Sequence, residues 1–142
     1  EVNVAMGGSL YPEIRDLPGR MNHRMPPDGT LEEKFALRHT VSFTEGGPFH
    51  RLFGASQVMT NTLHGQGINR AGARVVIDGQ APDGTPEAIY IKDAPGFTLS
   101  VQWHPEYRAA EDPVSRPLFA AFGLAAKAWA AGRRPVPVAE VA

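Results

Sequence analysis

The chain has 142 residues, no cysteine and a formal net charge of −1. That length is the size of one domain, and 42% hydrophobic content is enough for a core. The composition argues against a nucleic-acid footprint, a membrane-spanning run of ~18 apolar residues, a disulfide framework or a thiolate site within these residues.

Taken in chain order, Val2, Val4, Ala5 and Met6 before Gly7-Gly8 predict the last turns of a buried helix closed by glycine. A pattern that opens inside a helix is expected of the C-terminal part of a longer domain. The stretch from Arg15 to Gly29 carries the turn dipeptides Pro18-Gly19, Pro26-Pro27 and Asp28-Gly29 and predicts a long surface loop. Strands are predicted over His39–Phe43, Gln57–Thr60, Ala73–Ile77, Glu87–Ile91 and Phe97–Trp103. Asp78-Gly79, Pro82–Pro86 and Asp93–Gly96 supply turns, and Phe49–Phe53 a short helical turn. Asp112, followed by Pro113, is the predicted N-cap of a last helix. Its core-facing stripe is Leu118, Phe122, Ala125 and Trp129, and Gly132 ends it before a frayed tail from Arg133.

The strongest chemical signal is Val101-Gln102-Trp103-His104-Pro105-Glu106. Side chains two apart on extended backbone share a face, so Glu106 can accept a hydrogen bond from one ring nitrogen of His104. The other nitrogen is then free as a general base. Pro105 keeps His104 extended. The second signal is Asn61-Thr62-Leu63-His64-Gly65-Gln66-Gly67, four polar side chains among glycines that permit close approach to a ligand. A plain glycine loop with capping side chains is the competing explanation. His39 is expected to be structural, and His23 and His50 exposed. The five histidines are not spaced as zinc ligands, so no metal and no cofactor is expected.

These motifs fall in a familiar order. Asn3-Val4-Ala5-Met6-Gly7-Gly8-Ser9-Leu10-Tyr11 resembles the segment that follows the nucleophile cysteine in class I glutamine amidotransferase-like hydrolases. Asn61–Gly67, Asp83-Gly84 with Glu87-Ala88, and Val101–Glu106 follow it as in that superfamily. Within it the chain is most similar to the peptidase C26 group of γ-glutamyl-γ-aminobutyrate hydrolases, from about Asn3 to Trp129. The resemblance implies an α/β, flavodoxin-like class I glutamine amidotransferase fold, with a mostly parallel central sheet and helices on both faces. Residues 1–142 would form the C-terminal part of that single domain.

It also implies hydrolysis of a γ-glutamyl amide by a Cys-His-Glu triad, in a cytoplasmic enzyme of putrescine breakdown. His104 matches the base and Glu106 the residue that orients it. Asn61, Thr62, His64 and Gln66 match the wall facing the glutamyl group. The cysteine would lie roughly five residues before Glu1, at a helix N-terminus, so the N-terminal part bearing it is a required partner. The other expected partner is a small γ-glutamyl substrate. Neither nucleic acid nor membrane is expected, and a homodimer is an allowed assembly. Two rivals stand beside this reading: a glutaminase domain feeding ammonia to a synthetase, and a binding domain that has lost the nucleophile.

Overall fold

The computed structural model describes residues 1–133. The predicted tail beyond residue 133 lies outside the described residues. Among the described residues, four α-helices, α1 (Val2–Ala5), α2 (Leu31–Lys34), α3 (Pro48–Phe53) and α4 (Ser115–Ala130), and one 3-10 turn, Ile14–Asp16, accompany seven strands. The strands are β1 (Ser9–Tyr11), β2 (His39–Phe43), β3 (Gln57–Thr60), β4 (Gly67–Arg70), β5 (Val75–Gln80), β6 (Pro86–Ile91) and β7 (Ser100–Val101). Strands β3-β2-β5-β6-β7 form one sheet, in that order, and β1 with β4 a separate ribbon. No helix among the described residues is long and apolar enough to cross a membrane.

Every strand pairing in these two sheets is antiparallel. The mostly parallel sheet expected from the resemblance is therefore not what the described residues build. The physical reason is connection length: a parallel pair needs a crossover of a dozen or more residues, usually a helix. Here β5 and β6 are joined by the tight Ala81–Thr85 turn, with Gly84 N–H donating to the Ala81 carbonyl at 2.9 Å.

The core lies between the sheet and helices α3 and α4, around Val41, Phe43, Phe49, Ala88, Leu99, Trp103 and Leu118. Alternation in β2 explains its half: His39, Val41 and Phe43 are buried while Ser42 faces solvent. Pro48 opens α3 and Gly54 closes it in the left-handed conformation at φ 61°. Asp78 of β5 accepts the Phe49 N–H at 2.9 Å and so caps α3 from the neighbouring strand.

Several boundaries differ from the sequence reading. Strand β5 runs on through Asp78-Gly79 to Gln80 by means of a register shift. A Cβ on Gly79 would come within 2.9 Å of Ala88, Phe43 and Val41 side-chain carbons, so this glycine serves close approach rather than a turn. Helix α1 is not buried apolar structure. Val2 and Val4 are exposed, and the helix is held by Asn3, whose amide bonds Ser9, Arg70 and Gly72 backbone.

Helix α4 begins at Ser115, with Val114 at its N-cap, two residues later than expected, although Asp112 still accepts the Ser115 N–H at 2.8 Å. Its buried stripe is Ser115, Leu118, Ala121 and Ala128, whereas Phe122 and Trp129 are exposed.

Candidate active site and a buried histidine cluster

The His104 Nδ1–H donates to Glu106 Oε1 at 2.7 Å, the geometry that alternation on extended backbone predicts. Both side chains are solvent-accessible, 42% and 61% exposed. His104 follows the end of β7, where the ladder is down to its last bond, from Gln102 N–H to the Glu87 carbonyl at 2.8 Å. Its backbone is secured instead by Asn61, which bonds both the His104 N–H and carbonyl.

Phe35, at the C-terminal end of α2, lies edge-on to the imidazole with centroids 5.8 Å apart and stacks on Tyr107 at 4.4 Å. An Arg108–Glu32 ion pair fastens the same two segments. Helix α2 carries a Thr30–Glu33 capping box that the sequence reading missed. The Thr30-x-x-Glu33 spacing could have revealed it.

The predicted glutamyl wall is split between different environments. Asn61 is buried against the His104 backbone. Thr62, also buried, donates from its hydroxyl to the His23 carbonyl at 3.1 Å. The His64 ring packs beside His23, with centroids 4.9 Å apart. Gln66 is exposed and lines a cavity of about 300 Å³ together with Asn3, Leu10, Glu87 and Gln102. Neither His64 nor His104 lines that cavity.

His23 is the clearest departure from expectation. It is 1% exposed, because the loop that carries it is pulled into the domain by polar anchors. Asp83 accepts the Met21 N–H at 2.8 Å and the His23 Nε2–H at 3.0 Å, and the His64 N–H donates to the His23 carbonyl at 2.9 Å. His23 Nδ1 then faces Glu87 Oε1 at 3.3 Å. His64 Nε2 approaches the same oxygen at 3.3 Å and His39 Nε2 at 3.6 Å. Donor atoms of His23, His64 and Glu87 all lie within 4.8 Å of one another, which makes this a candidate metal group. Sequence spacing gave no sign of it, since its members come from a loop, strand β6 and the glycine-rich segment.

Burial would push the Glu87 carboxyl up, but hydrogen bonds from His23 and His64 outweigh it and hold the group below the usual carboxylate range. Burial likewise opposes a charged His23, and its contacts with Glu87 and Asp83 reverse that and raise it. The Asp83 carboxyl is held well below its ordinary value: burial is overcome by the Met21 N–H, His23 and Thr85.

The chain is 38% identical over 123 residues to γ-glutamyl-γ-aminobutyrate hydrolase PuuD of Escherichia coli, covering 86% of this chain and 48% of that protein. It is 36% identical over 112 residues to CTP synthase of Thermomicrobium roseum, covering 72% of this chain and 20% of that protein. The chain thus spans about half the length of the hydrolase relative it matches.

Its fold is similar to the crystal structure of a Thermoplasma acidophilum protein described as one of the subunits of GMP synthase. The TM-score is 0.52 at 15% identity, over 89% of this chain and 55% of that one. The architecture is accordingly the α/β class I glutamine amidotransferase fold. The family model of Peptidase C26 matches residues 1–106, the span from helix α1 through Glu106, and the chain belongs to the Peptidase C26 family.

Proposed function

We propose that the protein carrying this chain hydrolyses γ-glutamyl amides, with His104 as general base and acid and Glu106 orienting it. The observation that carries the reading is the 2.7 Å bond from His104 Nδ1 to Glu106, which leaves Nε2 free for proton transfer. Family membership and the likeness to a γ-glutamyl-γ-aminobutyrate hydrolase support the same chemistry.

In this reading a cysteine N-terminal to Glu1 gives its proton to His104 Nε2 and attacks the γ-carbonyl. The imidazolium returns that proton to the leaving amine as the C–N bond breaks, and a thioester remains. Water then adds to the thioester, His104 takes its proton, and free glutamate leaves as the thiol is restored. Gln66 and Gln102, on the cavity beside α1, are suited to hydrogen-bonding the glutamyl group. The work would take place in the cytoplasm, on a small γ-glutamyl amine.

The likeness to CTP synthase favours a second reading, a glutaminase whose ammonia serves a synthetase. The test is turnover of γ-glutamyl-γ-aminobutyrate and of glutamine by the complete protein and its His104→Ala variant. Hydrolysis of the former without any synthetase, lost by ~10²–10⁴-fold in the variant, supports the first reading. Turnover of glutamine alone supports the second. No turnover of either by a folded protein supports a binding role.

A further inference from the structure

His23 donates from both ring nitrogens. Nε2 faces the Asp83 carboxylate at 3.0 Å, and a carboxylate only accepts. Nδ1 faces the Thr62 hydroxyl oxygen at 3.1 Å and Glu87 Oε1 at 3.3 Å. The Thr62 hydroxyl spends its one hydrogen on the His23 carbonyl at 3.1 Å, so its oxygen accepts from Nδ1. A ring that donates twice is an imidazolium, and it offers no lone pair to a metal ion.

The surroundings suit that charge. Asp83, from the turn between β5 and β6, and Glu87 of β6 bring two carboxylates to one buried cation. The His64 ring of the glycine-rich segment lies 4.9 Å away between centroids, and the His39 ring of β2 5.0 Å away. Arg20, on the loop that carries His23, bonds the Asp83 carbonyl and holds that turn in place. Burial disfavours the cation, but the contacts with Glu87 and Asp83 outweigh it and raise the pKa of the ring. Charge-assisted bonds on both nitrogens make this a firm anchor for a loop side chain.

We propose that the His23 imidazolium is a positioning residue that braces the backbone of His104 from both sides. On one side, His23 and Thr62 bond each other twice, through the ring and through the His23 carbonyl. The same carbonyl accepts the His64 N–H at 2.9 Å, so the segment is pinned at two residues. Asn61, next to Thr62, bonds both the N–H and the carbonyl of His104. On the other side, the Glu87 that faces Nδ1 accepts the Gln102 N–H on its own carbonyl at 2.8 Å, two residues before His104.

The value of this brace to catalysis rests on the reading of His104 as acid and base. A small displacement of that ring can cost about 10²-fold in rate. The long loop thereby acquires a part in the site: it delivers a buried cation behind the motif that carries the base.

The experiment uses the complete protein, and its first two readouts need no substrate. Nitrogen NMR of the histidine rings should show both His23 nitrogens protonated at neutral pH. Amide hydrogen exchange should show the His104 N–H losing protection by ~10-fold or more in His23→Gln. Thr62→Val, which keeps both carboxylate contacts of the ring, should lower it in the same direction. The Phe43 N–H, bonded to the Ser56 carbonyl at 2.8 Å, reports on the core and should change less. In both variants kcat on γ-glutamyl-γ-aminobutyrate should fall by ~10-fold with KM little changed. A His23 ring with one bare nitrogen overturns the proposal. So does equal loss of protection at Phe43 and His104, unchanged His104 protection in a folded Thr62→Val protein, or full kcat in both folded variants. A parent protein that shows both NMR results and turns over no γ-glutamyl amide removes the proposed activity and leaves the bracing of His104 standing.

Discussion

Asn61 grips His104 at two points. Its Oδ1 accepts the His104 N–H at 2.9 Å, and its Nδ2 donates to the His104 carbonyl at 3.0 Å. A side-chain amide thus replaces a neighbouring strand where the sheet has run out, and it does so from a position 7% exposed. Residue 61 comes directly after β3, on the far edge of the sheet from β7, so the contact joins two motifs 43 residues apart.

Asn61→Ala should therefore act through His104. Two backbone groups lose their partners, and a small displacement of the imidazole can cost about 10²-fold in rate. The expected result is a kcat lowered by ~10–100-fold with KM little changed and near-native circular dichroism. Asn61→Asp keeps the acceptor and should fall between the two. Full kcat in a folded Asn61→Ala protein would remove Asn61 from the mechanism.

Glu106→Gln separates orientation from stability. The His104–Glu106 pair is solvent-exposed, so breaking its charge should change unfolding free energy by less than ~1 kcal/mol. Activity should still drop, by less than the ~10²–10⁴-fold expected for His104→Ala. The checks are denaturant unfolding and steady-state kinetics on the same preparations. A large loss of stability with intact kcat would recast the pair as structural.

The sequence disclosed what depends on near neighbours and concealed what depends on distant ones. His104 and Glu106 were legible because two-residue periodicity alone brings them together. Strands β2 and β3 were legible from their β-branched alternation, and their bounds coincide with the expectation. His23 was not, because its burial is set by Asp83 and Glu87, far along the chain. On α4, Leu118 was placed correctly, but Phe119, Phe122, Leu124 and Trp129 are all exposed. A helix apolar on several faces gives periodicity no unique direction to choose. Strand β4, Gly-Ile-Asn-Arg, has too little alternation to be read without its partner β1.

Asp78 supplies a stability prediction with a definite sign. It is 3% exposed, its Oδ2 caps α3 through the Phe49 N–H, and its own carbonyl accepts the Thr44 N–H at 2.9 Å. Burial raises its carboxyl above the usual value of 3.8, against the opposing pull of the Phe49 N–H, Thr44, and the Arg51 and His50 charges. A raised folded-state pKa means that the folded protein holds this proton more tightly than the unfolded chain. The resulting stabilisation is complete below the unfolded value and disappears as pH rises through the folded one. Each unit of upward displacement is worth about 1.4 kcal/mol. Asp78→Asn keeps an oxygen for the Phe49 N–H and cannot ionise. Measured by denaturant unfolding between about pH 3 and pH 6, the variant should gain on the parent protein as pH rises. A constant difference across that range, or a variant that loses ground, would mean that Asp78 is ionised at no cost beneath the N-terminus of α3.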